Sequence, residues 1–215
     1  MSEPLQADVL APEVPDSLRP GRMRSPKQLV IREAAVELFF ERGYHGVSLK
    51  DIGAVVGMRA PSIYNHFESK QQLLQVIMVE DIEIMLREFD EAIASTDDTL
   101  GKIRRGTEAH VLHHTRYARE SKVNNSEMAA VDEPVRSHLK ALRRSYGALW
   151  ESLIVCAVDE GVATTSNPVL ASRAVLDLGI GVARWFRAEG TLTDSTMAMY
   201  YGDYALRLIG ADVAG

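Results

Sequence analysis

The sequence predicts an all-α protein, for two reasons. Apolar residues recur at three- and four-residue spacing through most of the 215 residues, and no segment shows the alternation typical of strands. Capping residues and glycine or proline breaks separate short helices near the N-terminus from longer ones behind them. We therefore expect a disordered arm over residues 1–25, a small helical domain over 26–72 and a larger helical domain over 73–215.

The N-terminal arm has four prolines in residues 1–25 and no apolar periodicity, which is typical of disorder. It lacks the apolar segment of a secretory signal peptide. It ends in a basic stretch with Arg22 and Arg24, which is either a solvated tail or an arm that reaches into a groove of nucleic acid.

The first helix is expected from Pro26, and Gly43 ends it in a left-handed conformation. Its apolar face comprises Val30, Ile31, Ala34, Ala35, Leu38 and Phe39. A very short second helix begins at Ser48, because Asp51 follows three residues later as in a capping box, and Gly57 breaks it.

Proline and capping signals define the helices that follow. Pro61 suits the first turn of a third short helix, expected over 62–67. Ser69 and Gln72 form a capping box that opens a long amphipathic helix from residue 70 to about 95. Further helices are expected over about 99–120, 124–131, 134–160, 168–187 and 194–209.

The composition is that of an ordinary globular protein, with 46% hydrophobic and 25% charged residues. No run of the sequence approaches the roughly 20 apolar residues that span a bilayer, so no membrane association is expected. The single cysteine, Cys156, excludes an internal disulfide framework and suits the cytoplasm. Its apolar neighbours predict a buried side chain.

Charge is distributed unevenly along the chain. Nine basic and five acidic residues between Arg19 and Gln72 give this stretch a net charge of +4, whereas the rest of the chain carries −10. A basic head on an acidic body is typical of an anion-binding head.

Residues 48–67 have the pattern of a helix-turn-helix, in which two short helices meet at a glycine turn. Gly57 supplies the left-handed backbone that this turn requires. The side chains expected to face inward are apolar: Leu49, Ile52, Val55, Val56, Ile63 and Phe67. Those expected to face outward on the second helix are small or polar and able to approach base edges and phosphates: Arg59, Ala60, Ser62, Asn65 and His66.

Two further side chains suit phosphate contacts. Tyr64 is long and ends in a hydroxyl, and Lys70 sits at a helix N-terminus, where amide groups and the dipole favour an anion. His66 could equally bridge two helices instead of contacting DNA.

The stretch over residues 27–74 resembles, without a gap, the signature of the TetR family of transcriptional regulators. The matching positions are Leu38-Phe39, Gly43-Tyr44, Ser48, Ile52-Gly53, Val56-Gly57-Met58, Ile63-Tyr64, His66-Phe67 and Ser69-Lys70. Gly53 replaces the usual alanine, at a modest cost in helix propensity. Pro61 stands where glycine is common and removes one backbone donor.

The resemblance implies a ligand-responsive repressor, not an enzyme, that binds a palindromic operator in double-stranded DNA as a homodimer. A small-molecule effector releases it, and no cofactor is expected. A dimer also makes physical sense, because one recognition helix reads too few base pairs. The residues implied at the DNA are Ser48, Lys50, Arg59, Ala60, Pro61, Ser62, Tyr64, Asn65, His66 and Lys70.

The resemblance also implies that the C-terminal domain binds the effector and dimerises through its last two helices. The first of these helices carries small residues that allow close approach: Ala171, Ala174, Gly179 and Gly181. The second carries Met197, Tyr200, Tyr201, Tyr204 and Leu208.

Residues 184–193 resemble a tryptophan-aromatic stretch of the members that control sterol and fatty-acid catabolism and respond to acyl-CoA thioesters. Arginines would meet the CoA phosphates, and aromatic and methionine side chains would line the acyl or steroid pocket. The ligand-binding candidates are Tyr117, Met128, Arg143, Tyr146, Trp150, Arg184 and Trp185, with Arg144 and Arg187 as further phosphate partners. The alternative is that Trp185 and Phe186 belong to the dimer core.

His110, His113 and His114 share one helix face at a spacing that allows a shared metal ion. Nearby Glu108 and Glu120 do not complete a ligand framework, so we expect no metal and a pocket-lining or solvent-facing role. A helical enzyme or metal-binding protein is the rival class. It would need a site assembled from scattered residues, because the sequence has no G-x-S-x-G, P-loop or H-E-x-x-H motif.

Overall fold

The computed structural model describes residues 25–187 and 190–212, which are helical without strands. This confirms the all-α prediction. The predicted arm, with Arg22 and Arg24, lies outside the described residues except for Ser25. The helices are α1 (Pro26–Arg42), α2 (Leu49–Val55), α3 (Ala60–Tyr64), α4 (Lys70–Ile93), α5 (Thr99–Arg116), α6 (Ala118–Ser126), α7 (Val135–Asp159), α8 (Pro168–Trp185) and α9 (Asp194–Leu208), with a 3-10 turn at Met128–Ala130.

Local capping fixes the starts of the first two helices. The Ser25 hydroxyl accepts a hydrogen bond from the Gln28 backbone N–H at 3.3 Å. The Ser48 hydroxyl accepts from the Asp51 N–H at 3.2 Å, and the Asp51 carboxylate accepts from the Ser48 N–H at 2.8 Å. These bonds satisfy amide groups that have no partner within the helix, and the capping box predicted at Ser48 is confirmed.

The third helix differs from the predicted range of 62–67. It begins earlier, at Ala60, because Arg59 is still extended and Pro61 lies in the first turn. It ends at Tyr64, and the Ile63 carbonyl accepts from the N–H groups of the two following turn residues, His66 and Phe67, at 2.9 and 3.0 Å. α3 is therefore a short helix of 5 residues that lies between two tight turns of the backbone.

The capping box predicted at Ser69 has only one of its two expected bonds. The Gln72 N–H donates to the Ser69 hydroxyl at 3.0 Å. The Gln72 carboxamide oxygen accepts from the Glu68 N–H at 2.7 Å, one residue before the expected partner. α4 nevertheless begins at Lys70, as predicted.

The helix predicted over 99–120 is two helices. α5 ends at Arg116 because the backbone of Tyr117 leaves the helical region, with φ −110° and ψ 39°. α6 then begins at Ala118 and takes the place of the short helix predicted over 124–131. Gly43 also differs in detail: its φ is +71°, but its ψ of 159° is extended, so it ends α1 without the left-handed helical conformation that the sequence predicts.

The chain divides into two compact units. The N-terminal unit comprises the described residues up to Glu83 together with Arg119–Leu142, and the C-terminal unit comprises Ile84–Ala118 and the described residues from Arg143. The functional boundary predicted after residue 72 falls inside α4 and stays a prediction. In the part of the chain that the structure describes, no helix is long and apolar enough to cross a membrane.

The core of the N-terminal unit contains most of the residues predicted to face inward, including Ile31, Phe39, Leu49, Ile52, Ile63 and Phe67. Two of the predicted inward residues are exposed: Val30 at 51% and Val55 at 62%. Val30 lies at the edge of the apolar stripe of α1, and Val55 is the last residue of α2, where the helix gives way to the glycine turn.

The core of the C-terminal unit is built on Phe89, Ile103, Trp150, Ile154 and Val175, and α5 packs against α8 and α9. Gly179 of α8 allows this close internal packing, because a Cβ there would clash with the His110 ring. Cys156 is exposed, contrary to the prediction from its apolar neighbours. Its thiol donates to the Glu160 carboxylate at 3.3 Å.

Candidate DNA interface and candidate ligand site

α3 presents a polar outer face on a buried apolar base. Ile63 and Phe67 are buried, whereas Tyr64 is 56% exposed on the opposite side. The residues predicted at the DNA lie on or next to α2 and α3, with Lys70 as the first residue of α4. Exposed are Ser48, Lys50, Arg59, Pro61, Tyr64 and Asn65, and half-buried are Ala60, Ser62, His66 and Lys70. All ten are therefore accessible, and four of them lie on α3.

The turn between α2 and α3 depends on two glycines. Gly57 has a φ of +68°, as the predicted turn requires. The Met58 N–H donates to the Gly53 carbonyl at 2.8 Å, and a Cβ on Gly53 would lie 2.5 Å from the Met58 carbonyl oxygen. The departure from alanine at Gly53 is thus explained by the close approach of the turn.

Lys70 holds the loop that precedes α2. Its ammonium donates to the carbonyl oxygens of Tyr44 and Val47, at 2.9 and 2.7 Å, and lies 4.0 Å from the centroid of the Tyr44 ring. Two of the three donors of the ammonium are therefore directed at the backbone of the loop. Its contact with a DNA phosphate stays a prediction.

Sequence reasoning missed a group of long-range contacts behind the helix-turn-helix. The buried Tyr44 donates its hydroxyl hydrogen to Gln71 Oε1 at 2.8 Å, and its N–H donates to Glu127 Oε1 at 3.1 Å. Gln71 Nε2 in turn donates to the Ala130 carbonyl at 3.0 Å. The start of α4 and the segment after α6 therefore both hold the same loop.

Arg32 joins three helices of the N-terminal unit. Its guanidinium contacts Glu80 of α4 at 2.8 Å and Glu120 of α6 at 3.2 Å, and the three side chains are between 12% and 16% exposed. Local sequence patterns could not have identified this cluster, because its members are 48 and 88 residues apart.

The predicted ligand-binding residues do not form one group. Tyr146 and Trp150 are buried together in the C-terminal unit, with ring centroids 6.3 Å apart, and Tyr117 lies against His113. On α7, Arg143 is half-buried and Arg144 is exposed. Arg184 and Trp185 are exposed at the C-terminal end of α8, as is Arg187 after it. Met128 belongs to the N-terminal unit.

The three histidines of α5 are buried, so the solvent-facing alternative is wrong. His110 Nδ1 is 3.0 Å from the Tyr146 hydroxyl, and His113 Nδ1 is 3.0 Å from the Glu88 carboxylate. Burial lowers the pKa of His110 to about 4 and that of His114 to about 2, so both are neutral near pH 7. No cluster suited to a metal ion occurs among residues 25–187 and 190–212.

The last two helices carry exposed apolar side chains, which are Val169, Leu170 and Trp185 on α8 and Met199, Tyr200, Tyr204 and Leu208 on α9. The rings of Tyr200 and Tyr204 stack at 6.4 Å.

Two family models match this chain. The model described as "Bacterial regulatory proteins, tetR family" matches residues 31–77, and "Tetracyclin repressor-like, C-terminal domain" matches residues 96–209. The transcriptional repressor KstR2 of Rhodococcus jostii is 26% identical over 187 residues, which are 83% of this chain and 88% of that protein.

Two solved structures share the fold. The ketosteroid transcriptional regulator KstR2 of Mycobacterium tuberculosis has a TM-score of 0.81 at 20% identity, over 90% of this chain and 98% of that one. AibR, in complex with isovaleryl coenzyme A and operator DNA, has a TM-score of 0.74 at 23% identity, over 86% of this chain and 99% of that one.

Proposed function

This chain belongs to the TetR family of bacterial regulators, and we propose that it is a cytoplasmic repressor that binds a palindromic operator as a homodimer and releases it on binding an acyl-CoA thioester. The family has a DNA-binding N-terminal part and a larger C-terminal domain, and the two matched ranges lie in that order along this chain.

The observation that carries the proposal is the outer face of α3. Its exposed side chains can donate to and accept from base edges and phosphates, while Ile63 and Phe67 fix the helix to the core beneath. The positive charge of the surrounding sequence favours a polyanion.

The apolar surface of α8 and α9 supports a homodimer. A two-fold dimer places two copies of α3 on successive half-sites, which matches a palindromic operator. Trp185 is 52% exposed in the protomer, which fits either an entrance for the ligand or a contact with the partner, the two roles that the sequence allows.

Two relatives support the choice of effector. AibR binds isovaleryl coenzyme A, and KstR2 is named as a ketosteroid regulator. In this chain, Arg184 and Arg187 flank an aromatic pair at the end of α8, where arginines could bind CoA phosphates. Ligand binding would act on DNA affinity through α4, because Lys70 and Gln71 at its start hold the loop before α2.

The test is a fluorescence-anisotropy titration with the DNA upstream of the protein's own gene. We expect that this DNA binds about a thousandfold more tightly than scrambled DNA of the same length. CoA thioesters should then release it, and free acids, aromatic drugs and metal ions should not. Equal affinity for both DNAs contradicts the repressor assignment, and release by drugs or metals alone contradicts only the CoA assignment.

A further inference from the structure

His114 is a buried polar side chain whose hydrogen-bonding capacity is unused. It is only 5% exposed, and neither ring nitrogen has a hydrogen-bond partner among the described residues. Buried polar groups are nearly always paired, so each exception requires an explanation.

The neighbouring histidines differ from His114 in this respect. His110 lies between the Tyr146 hydroxyl at 3.0 Å and the Leu176 carbonyl at 3.1 Å, and His113 contacts the Glu88 carboxylate. The His114 ring stands edge-on to that of His110, with centroids 4.6 Å apart. The chain thus supplies partners for two of the three imidazoles and leaves the third available.

Trp150 belongs to the same buried aromatic cluster. It is fully buried, with its ring centroid 6.3 Å from that of His110. Its indole N–H interacts with the Tyr146 hydroxyl, which also lies 3.0 Å from His110 Nδ1. His114 is therefore the ring of this cluster whose nitrogens have no partner among the described residues.

The charge of this region restricts what can bind to it. Burial keeps the His114 imidazole neutral, with its pKa lowered to about 2, so it offers one donor and one acceptor but no positive charge. The Glu88 carboxylate contacts the adjacent His113 ring at 3.0 Å. A neutral imidazole does not offset the charge of a carboxylate that loses its hydration here, whereas an uncharged carbonyl needs only a donor.

We propose that His114 recognises an uncharged carbonyl joined to an apolar chain, the acyl carbonyl of a thioester. The proposal rests on the acyl-CoA function above and adds the residue that distinguishes a thioester from the corresponding acid. The His114 N–H donates to the carbonyl oxygen.

The test compares three matched probes by isothermal titration calorimetry with the full chain: octanoyl-CoA, its thioether S-octyl-CoA, which lacks the carbonyl, and octanoate. We expect octanoyl-CoA to bind wild type about 10- to 100-fold more tightly than S-octyl-CoA, as one buried hydrogen bond requires. Octanoate should be the weakest of the three.

His114→Leu should bring octanoyl-CoA and S-octyl-CoA to equal affinity, and His114→Gln, which keeps a donor, should restore part of the preference. His45→Leu makes the same change at an exposed histidine and should keep the wild-type ratio.

Without ligand, His114→Leu should raise the melting temperature, because it removes an unpaired buried polar group. A fall with His114→Leu means that this imidazole is already paired and overturns the proposal; if the variant does not fold, His114→Gln decides by its affinity ratio.

The outcomes separate this inference from the proposed function. Equal affinity of wild type for octanoyl-CoA and S-octyl-CoA, or binding of neither, overturns the carbonyl site even if another effector releases the operator. If wild type prefers octanoyl-CoA and His114→Leu abolishes that preference, the carbonyl site is supported. This holds even if octanoyl-CoA does not release the operator, which would contradict only the proposed release.

Discussion

Lys50 and Lys70 carry the same charge in different surroundings. Lys50 is exposed on α2, and Lys70 directs its ammonium at the carbonyls of Tyr44 and Val47. A substitution at Lys50 therefore removes charge alone, whereas one at Lys70 also removes two hydrogen bonds that hold the loop before α2.

We predict that Lys70→Met lowers the free energy of unfolding by about 1–2 kcal/mol, because hydrogen bonds from a charged donor contribute on that scale. Lys50→Met is the matched control and should leave stability unchanged. Urea denaturation measures the stability of both variants. Both variants should also weaken binding to DNA of any sequence, which fluorescence anisotropy measures. A Lys70→Met protein with wild-type stability would contradict the role of Lys70 in the loop.

Tyr64 is predicted to contact a phosphate through its hydroxyl. Tyr64→Phe should weaken binding to operator and scrambled DNA alike and lower the magnitude of the slope of log K against log salt by up to about 0.9. Loss of operator binding alone would mean that Tyr64 reads bases.

At the scale of elements, α1, α4 and α6 meet at Arg32. Removing one member of a buried ion pair leaves the remaining charges without compensation, which costs more than the pair contributes. An exposed pair costs little, because water screens it. The N-terminal unit offers both kinds on α1 and α6, since Arg119 contacts Glu37 at 2.6 Å with both side chains about half exposed.

We predict that Arg32→Met destabilises the protein by about 2–4 kcal/mol, measured by urea denaturation, and that adding Glu80→Gln and Glu120→Gln restores part of this loss. Arg119→Met should cost less than about 1 kcal/mol. Equal effects of the two arginine variants would show that Arg32 does not connect these helices.

Elements were predictable from the sequence where their signals are local. The Ser48 and Asp51 capping box lies within four residues, and it placed α2 correctly. The break at Tyr117 has no glycine or proline to mark it, so α5 and α6 were predicted as one helix. The loop contact of Lys70 and the missing partner of His114 depend on residues distant in the sequence, which periodicity does not identify.

At the scale of the whole molecule, the proposed dimer requires the outer surface of α8 and α9. A Cβ on Gly181 of α8 would meet nothing within 4 Å, so a large side chain is tolerated within the protomer. Gly147 of α7 is equally open and provides a control outside the last two helices.

We predict that Gly181→Arg gives a folded monomer in analytical ultracentrifugation and loses operator binding, while Gly147→Arg remains a dimer that binds. Both changes replace glycine within a helix and so improve helix propensity. A Gly181→Arg monomer with wild-type operator affinity would contradict the palindrome proposal, and a dimer would place the interface elsewhere.

Release by a ligand requires that the ligand binds the DNA-free form more tightly than the DNA-bound form. A hundredfold loss of operator affinity corresponds to about 2.7 kcal/mol of coupling, and the same factor must apply in reverse. We therefore predict that saturating operator DNA weakens the binding of the releasing CoA thioester about a hundredfold, whereas scrambled DNA at the same concentration does not. Calorimetric titration of the ligand into protein with each DNA measures both values. If the ligand binds equally well to the operator complex and to the protein alone, it does not release the operator at equilibrium, and any loss of DNA in its presence arises from unfolding or aggregation and not from coupling through α4.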